Sequence, residues 1–361
     1  MSEVYFADAL VAHLEKDKTL PYKMLRLLDA IDIGKKIKGK KVLVKMHLGG
    51  IKGESNGYTT IHPFFVHMLV KKLKESGAKS VMIYDGYQGN WTVRGYTKQS
   101  VGAPLKALFP GKTELVQMGF KTLDEAEISK KILDAEFLLV FSHVKGHGDC
   151  GFGGAGKNIA MGCTPTTTRS KIHALEGGIV WDEEKCKHCN KCIDECPNHA
   201  NKFTDEGKYE IFYHNCKFCR HCELACPEGA ISTENASYED FQEGNARIIK
   251  HVLDTVGPDN VLFVNVLLNI TIFCDCWGFS TPSLVPDIGI MASTDLVAID
   301  RASLDAIKVD NLLPNGLPKD RELGDGEHLF EKIHGKNPYI MGEKLEQLGW
   351  GSTKYELKEV E

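Results

Sequence analysis

Short apolar runs alternate with amphipathic stretches along the first part of the chain. Residues 41–46 and 80–85 are predicted to be buried strands, and residues 63–77 between them carry apolar side chains at helical spacing and end on a glycine. A weakly helical stretch at 128–133 and an apolar run at 137–141 follow. Strands that alternate with helices at this separation predict a parallel sheet with right-handed crossovers.

The same alternation returns in the last third of the chain. The pattern there predicts a helix, two strands and a second helix, at residues 237–256, 261–266, 288–291 and 293–309. Ser293 or Thr294 is expected to cap the last of these helices. Residues 337–361 predict a surface helix followed by a charged tail.

Between these regions, cysteines stand at fixed spacing. The run C-x2-C-x2-C-x3-C-P occurs twice, with Cys186, Cys189, Cys192 and Cys196 in the first copy and Cys216, Cys219, Cys222 and Cys226 in the second. This is the ligand pattern of a two-cluster 4Fe-4S ferredoxin, whose chemistry is one-electron transfer. Zinc is normally held by two separated C-x2-C pairs and disulfides are rare inside cells, so both alternatives fit less well.

The spacing also predicts which cysteines share a cluster. Cysteines at every third residue reach three corners of a cubane, and in paired runs the last cysteine of each run ligates the other cluster. We therefore expect two 4Fe-4S clusters, one on Cys186, Cys189, Cys192 and Cys226 and the other on Cys216, Cys219, Cys222 and Cys196.

The order of these patterns predicts an α/β fold with an insertion. Residues 1–179 and 235–361 are expected to form one split, Rossmann-like parallel-sheet domain. Residues 180–234 are expected to form an inserted bacterial-type ferredoxin domain of the α+β class. Three separate domains in tandem are the competing arrangement.

Composition narrows the class of partner. The chain has 44 Lys and Arg against 49 Asp and Glu, a net charge of -5, so neither nucleic acid nor a membrane surface is an expected partner. The apolar run at 261–274 is too short and too interrupted by polar residues to span a bilayer. No secretory signal is visible, so we expect a soluble cytoplasmic protein, and exposed low-potential clusters would favour an anaerobic setting.

A glycine-rich stretch follows the predicted strand at 137–141, where open α/β sheets bind ligands. Six glycines within residues 146–156 permit a tight backbone with exposed amides, suited to a phosphate, a carboxylate or a cofactor. The candidate cofactor-binding residues are Gly153, Gly154, Gly156, Lys157 and Asn158. Asn158 stands where a P-loop has Ser or Thr, and no clean dinucleotide motif is present. A purely structural loop is the alternative.

Four cysteines lie outside the double run, at Cys150, Cys163, Cys274 and Cys276. Cys274-Asp275-Cys276 follows the predicted strand at 261–266, so it is expected at the same sheet edge as the glycine-rich stretch. With His147, these residues are candidates to bind a third metal or cluster. A redox-active thiol is the second possibility and a small buried hydrophobic side chain the third. The candidate catalytic residues are Lys157, Cys274, Asp275, Cys276, His147 and Cys150.

Several stretches together carry a family resemblance over essentially the whole chain. They are residues 42–47 followed by Pro63, residues 142–147, 151–163 and 274–276, the double cysteine run, and residues 286–293 leading to 297–300. In these the chain resembles the iron-sulfur proteins of the family called domain of unknown function 362. The resemblance implies an α/β domain interrupted by a ferredoxin with two 4Fe-4S clusters, and no settled reaction.

One loop has a second, fainter resemblance. Residues 147–162 are similar to the loop of nickel-dependent lactate racemases in which a lysine after a glycine-rich turn binds a nickel-pincer nucleotide, and Lys157 is the matching residue. Residues 46–50 depart from that family's Thr-Arg-Pro phosphate motif, so the pincer cofactor is not expected. The shared loop favours a ligand site at Lys157 over a surface lysine on a flexible loop.

Four further residues are weaker candidates. Arg94 is placed to hold a substrate anion and His173 to face the same cleft. Asp295 and Asp300 are more typical of capping and packing charges.

Two classes of function follow from the sequence. In the first, electrons from a redox partner protein pass to an unknown small-molecule or metal ligand near Lys157 and Cys274-Asp275-Cys276, as in an oxidoreductase. In the second, the protein is an electron carrier or a metallocofactor maturation factor whose α/β domain docks a partner. The roughly 300 residues outside the ferredoxin favour the first class, because a carrier needs little more than its clusters.

Overall fold

The fold is described by a computed structural model that covers residues 1–49, 57–196, 199–212, 216, 221–234, 237–319 and 321–361. No helix among these residues is long and apolar enough to cross a membrane. The strands are β1 Ser2–Asp8, β2 Lys41–Lys45, β3 Ser80–Tyr87, β4 Leu105–Phe109, β5 Thr113–Phe120, β6 Leu123–Ser129, β7 Phe137–His143, β8 Lys145–His147, β9 Gly151–Gly153, β10 Gly178–Trp181, β11 Asn201–Phe203, β12 Tyr209–Ile211, β13 Ile231–Glu234, β14 Val261–Leu267, β15 Gly289–Ser293 and β16 Tyr355–Glu359. The α-helices are α1 Leu20–Ala30, α2 Ile33–Ile37, α3 Pro63–Glu75, α4 Lys98–Val101, α5 Lys130–Leu133, α6 Ala155–Ala160, α7 Thr166–Leu175, α8 Lys191–Asp194, α9 His221–Ala225, α10 Tyr238–Val256, α11 Leu296–Ala306, α12 Leu329–His334 and α13 Ile340–Gln347.

Eight strands form one sheet in the order β16-β1-β15-β14-β7-β2-β3-β4. The neighbours β14 and β7, β7 and β2, β2 and β3, and β3 and β4 are parallel, as the alternating pattern predicts. β15 instead runs antiparallel to both β14 and β1, so the sheet is parallel-dominated but mixed. The described connection from β14 to β15 contains no α-helix, and a chain without a crossover element returns antiparallel.

The central strands are buried on both faces because helices cover both sides of the sheet. Alternate residues of β7 enter two different apolar clusters: Leu138 and Val140 pack on one side with α10 and α11, while Phe137, Leu139 and Phe141 pack on the other with α1 and α3. A nearly continuous apolar run is the sequence signature of such a strand.

The cysteine-rich part forms small sheets separate from the large one. β10 pairs antiparallel with β13, and β11 pairs antiparallel with β12. Its buried side chains form a small cluster of Cys192, Cys222 and Ile231, distinct from the two large clusters. α7 leads into β10, and β13 is followed along the chain by α10.

Two local predictions of where helices begin need correction. Residues 128–133 are only half helical: Ile128 and Ser129 end β6, which pairs with β5, and α5 begins at Lys130. α11 is capped by Asp295, whose side chain accepts the Ala298 N–H, rather than by Ser293 or Thr294. Pairing of β6 with β5 determines where α5 begins, and the Asp295 carboxylate determines where α11 begins. Neither contact can be predicted from the spacing of apolar residues.

The C-terminal stretch is not a charged tail. After α13, β16 pairs in parallel with β1, with Val4 opposite Leu357. Residues 355–359 are rich in charged residues because β16 is an edge strand whose side chains are half-exposed or exposed.

The glycine-rich stretch is not a loop either, since it contains the hairpin of β8 and β9 and the start of α6.

Candidate functional site

A cleft opens at the carboxyl ends of the parallel strands β2, β3, β7 and β14, the edge at which open α/β sheets bind ligands. α6 and α7 close its other side. The lining residues are Lys45, His47, Asp85, Gly86, Tyr87, Ser142, His143, His147, Asp149, Cys150, Gly153, Gly154, Lys157, Asn158, Met161, Gly162, Arg169, His173, Cys274, Asp275 and Cys276. All six candidate catalytic residues are among them, and of the candidate cofactor-binding residues only Gly156 is not.

Lys157 and two cysteines form the centre of the cleft. Nζ of Lys157 lies 3.4 Å from Sγ of Cys274 and 3.5 Å from Sγ of Cys276. The hydrogen bond between the thiols, with burial, raises the pKa of Cys274 to about 12. The same bond, supported by Lys157, outweighs burial and lowers the pKa of Cys276 to about 7. Cys276 is therefore the more acidic thiol of the pair. Lys157 lies on a helix rather than on a flexible surface loop.

His47, which the sequence patterns did not single out, faces the same two thiols. One ring nitrogen of His47 and the sulfurs of Cys274 and Cys276 all lie within 4.8 Å of one another. Nδ1 of His47 lies 3.6 Å from Asp85 Oδ2. Burial lowers the pKa of His47, but the neighbouring Cys274 and Asp85 side chains outweigh it and raise the pKa to about 9. His47 could have been found from its position in the sequence, because His47 and Asp85 stand at the carboxyl ends of adjacent parallel strands.

His147 also lies beside the thiols, but it uses its two ring nitrogens differently from His47. Its Nδ1 accepts the backbone N–H groups of Asp149 and Cys150, each at 3.1 Å. Its Nε2 lies 3.4 Å from Sγ of Cys276. Because Nδ1 is used as an acceptor, the ring proton is assigned to Nε2, and His147 donates to the sulfur.

Asp275 lies beside the thiols in sequence, but its carboxylate has other partners. Lys145 donates to Oδ1, and Nδ1 of His143 lies 3.5 Å from Oδ2. Burial raises the pKa of Asp275, but Lys145 and His143 outweigh it and hold that pKa far below its ordinary value. Lys145 also donates to Thr59. This ion-pair network fixes the segment that carries the two cysteines, and it does not bring the Asp275 carboxylate to the thiols.

The glycines of the cleft allow close packing around α6. A Cβ on Gly154 would lie 2.3 Å from the Phe152 ring and 2.6 Å from Asp300 Oδ1. Asp300 accepts the N–H groups of Ala155 and Gly156. The amides offered for a phosphate by a glycine-rich stretch are thus already engaged by a carboxylate at the start of α6.

Polar residues around the thiols are held by one another. Oδ1 of Asn158 accepts from Nζ of Lys45 at 2.8 Å, and its amide donates to Ser142.

Burial raises the pKa of the Cys150 thiol well above its ordinary value, so Cys150 is a poor nucleophile despite lining the cleft.

Of the weaker candidates Arg94 and His173, only His173 lines the cleft. Arg94 donates to the backbone oxygens of Gly57, Leu48 and Gly49, and it does not line the cleft. His173 does line the cleft, next to Arg169 on the same helix.

The cysteines of the double run meet in the cysteine-rich part. One cavity is lined by Cys186, Cys189, Cys192 and Cys226, together with Pro227 and other residues. Backbone amides donate to three of the sulfurs of the double run: His188 to Cys186, Ala200 to Cys196 and Ala230 to Cys226. None of these four cysteines forms a disulfide with another described residue. Cys216, Cys222 and Cys196 lie in the described part of the chain, and Cys219 lies outside it.

Comparison with known proteins defines the class first. The chain is 33% identical over 70 residues to the electron transport protein HydN of Escherichia coli, a match that covers 19% of this chain and 39% of HydN. It is 42% identical over 59 residues to an uncharacterised ferredoxin of Methanocaldococcus jannaschii, covering 15% of this chain and 73% of the relative. This is an α/β protein with a ferredoxin-like segment.

The family follows from a longer match. The chain belongs to the family described as "Domain of unknown function (DUF362)", which matches residues 42–305. Among solved structures, the lactate racemase apoprotein of Thermoanaerobacterium thermosaccharolyticum aligns with 74% of this chain and 51% of its own, at 13% identity and a TM-score of 0.34. A TM-score of this size supports no inference about function.

Proposed function

We propose that this protein binds two 4Fe-4S clusters in residues 180–234 and delivers electrons to a ligand in the cleft of a split α/β domain formed by residues 1–179 and 235–361. The observation that carries the proposal is the cavity lined by Cys186, Cys189, Cys192 and Cys226. Three of these cysteines come from the first run and one from the second, which is the sharing expected of paired cluster motifs.

The sulfur environment fits a cluster. When bound, 4Fe-4S clusters supply one-electron transfer at potentials set by hydrogen bonds to sulfur and by exposure. The amides of His188, Ala200 and Ala230 provide such hydrogen bonds at 3.2–3.4 Å. In the second set, Cys216 and Cys222 would act with Cys196 and Cys219.

Both chain connections of the cysteine-rich part border the cleft, which supports electron delivery there. α7 carries Arg169 and His173 in the cleft lining and leads directly to β10. α10 follows β13 along the chain, and its Gln242 donates to the backbone oxygen of Cys150. The rings of His173 and Phe241 lie 5.4 Å apart, so the two helices are packed together beside the cleft. This arrangement favours an oxidoreductase over a carrier whose α/β part only docks a partner.

An anaerobic iron and sulfide analysis with electron paramagnetic resonance tests the cluster assignment. We expect about eight iron and eight sulfide per chain, and a reduced spectrum broadened by two interacting spins. Cys226→Ser and Cys222→Ser should perturb different clusters, whereas Cys163→Ala, which removes a buried thiol outside the double run, should leave both spectra unchanged. A wild-type content of about four irons, or identical spectra for the Cys226 and Cys222 variants, would contradict the assignment.

A further inference from the structure

We propose that the cleft binds one divalent transition-metal ion of the zinc or ferrous type through Sγ of Cys274, Sγ of Cys276 and Nε2 of His47. One ring nitrogen of His47 and the two sulfur atoms lie within 4.8 Å of one another, and all three residues line the cleft. The proposal deepens the proposed function by naming what the cleft holds. It rests on that function only for the role of the ion as an anchor for the ligand that is reduced, not for its binding.

The donor set selects the class of metal. Two thiolates and an imidazole suit zinc and iron, whereas magnesium and calcium require oxygen ligands. The carboxylate between the two cysteines in sequence, on Asp275, is held by Lys145 and His143 and so does not add an oxygen ligand. Three protein ligands of this kind leave a fourth position open, as in catalytic rather than structural zinc sites.

The two histidines beside the thiols have different roles. Nδ1 of His47 faces the Asp85 carboxylate and keeps its proton there, so the ion takes the place of the proton on Nε2 and Nε2 is the ligand atom. No nitrogen or oxygen atom of the described residues hydrogen-bonds this buried Nε2. In His147 the acceptor is Nδ1, so its Nε2 carries the proton and donates to Cys276 instead. His47 is therefore the ligand and His147 a donor to a ligand.

Asp85 acts as a positioning residue for His47. Its Oδ2 accepts the N–H of Leu48 at 2.8 Å, and Nζ of Lys45 lies 3.5 Å from Oδ1. A carboxylate held in this way fixes the orientation of a ligating imidazole, as in carboxylate-histidine-zinc arrangements.

Lys157 balances the charge of the sulfurs. Its ammonium lies 3.4 and 3.5 Å from the two sulfur atoms, so it can donate to both thiolates while they bind a cation. Two thiolates, one divalent ion and a lysine leave a net positive charge at the open position. Arg169 also lines this part of the cleft, so the open position suits an anionic ligand.

Zinc K-edge X-ray absorption on the full chain with its clusters bound tests the site, because this edge does not detect iron. Protein treated with a chelator and given one equivalent of Zn²⁺ should retain about one zinc, with two sulfurs at about 2.3 Å and a nitrogen at about 2.0–2.1 Å. Cys276→Ala should lose one of the two sulfur neighbours of zinc, and His47→Ala should lose the nitrogen neighbour. Asp85→Asn should weaken zinc binding about 10- to 100-fold. Cys163→Ala should change nothing.

The wild-type spectrum alone decides the proposal if a variant fails to fold. Zinc bound only by nitrogen and oxygen, or protein that retains no zinc and instead forms a Cys274–Cys276 disulfide, would overturn it. Zinc surrounded by four sulfurs would place the ion on the double cysteine run and would also overturn it. Loss of the clusters with the two-sulfur, one-nitrogen zinc site intact would instead overturn the proposed function and leave the metal site standing.

Discussion

Oδ2 of Asp300 lies 2.8 Å from the backbone nitrogen of Gly156, so a carboxylate from α11 caps the first turn of α6. Oδ1 of the same side chain accepts from Ala155 and from Asn265 of β14. α6 carries Lys157, and this carboxylate therefore connects the sheet, a distant helix and the lysine of the cleft.

Replacing that carboxylate should loosen α6. Asp300→Ala removes the acceptor of two buried backbone N–H groups and of one N–H of Asn265, which costs about 1–3 kcal/mol per unsatisfied group. We expect a lower midpoint of denaturant unfolding, followed by far-ultraviolet circular dichroism under anaerobic conditions. Lys308→Ala, which removes an exposed side chain just after α11, is the control and should leave the midpoint unchanged.

The same residue predicts a pH dependence. Burial raises the pKa of Asp300 to about 6, against the opposing hydrogen bonds from Gly156, Asn265 and Ala155. A raised carboxyl pKa means that the folded protein takes up this proton before the unfolded chain does, so the contribution to stability is lost as pH rises through 6. From pH 7 to pH 5, wild type should gain about 1 kcal/mol relative to Asp300→Ala. A stability difference between the two proteins that is flat over this range would show that Asp300 titrates normally.

A side chain on Gly154 should overpack the start of α6 against both Phe152 and Asp300. The added Cβ of Gly154→Ala would overlap the ring of Phe152, and such overpacking typically costs about 1–3 kcal/mol. Gly178→Ala is the matched control, since nothing lies within 4 Å of the new Cβ there. Melting temperatures should fall for the first variant only; equal melting temperatures would mean that Phe152 moves aside freely.

The buried ion pair behind the thiols makes a fourth prediction. Lys145→Met leaves the Asp275 carboxylate buried beside His143 alone, and removing one partner of a buried pair costs about 3–5 kcal/mol. Adding Asp275→Asn should recover part of the loss, because no unpaired charge then remains. A double variant no more stable than Lys145→Met would indicate that the pair is not the origin of the loss. Denaturant unfolding measures the stability of the single variant and of the double variant.

The sequence predicted what depends on local periodicity or fixed spacing. The strands at the centre of the sheet were recognised from their apolar runs, and the double cysteine run from its spacing. Cys274 and Cys276 were recognised as unusual residues just after a strand, and Lys157 was recognised from the glycine-rich stretch. The fold brings the three within hydrogen-bonding distance.

The parts that were missed depend on contacts between distant segments. His47 reaches Cys274 only because β2 and β14 both end at the cleft, and more than two hundred residues separate the two side chains. Asp300 was expected to be a capping or packing charge, but the helix that it caps and the pairing of β16 with β1 were missed for the same reason. Local periodicity contains no information about such pairs.

The central claim is that electrons reach the cleft from within the same chain. In a Cys274→Ala background, a 4-thiopyridyl mixed disulfide on Cys276 provides an acceptor, because two electrons and two protons release the thiopyridone and restore the thiol. As a control, Lys35→Cys in a chain lacking both cleft cysteines places the same label on α2, just before the amino end of β2 and therefore at the opposite edge of the sheet.

After photoreduction of the iron-sulfur centres, thiopyridone release should be faster from Cys276 than from the control. Its first-order rate should not change when the protein is diluted. Equal rates from the two positions, or a Cys276 rate that falls with dilution, would contradict electron delivery to the cleft within one chain.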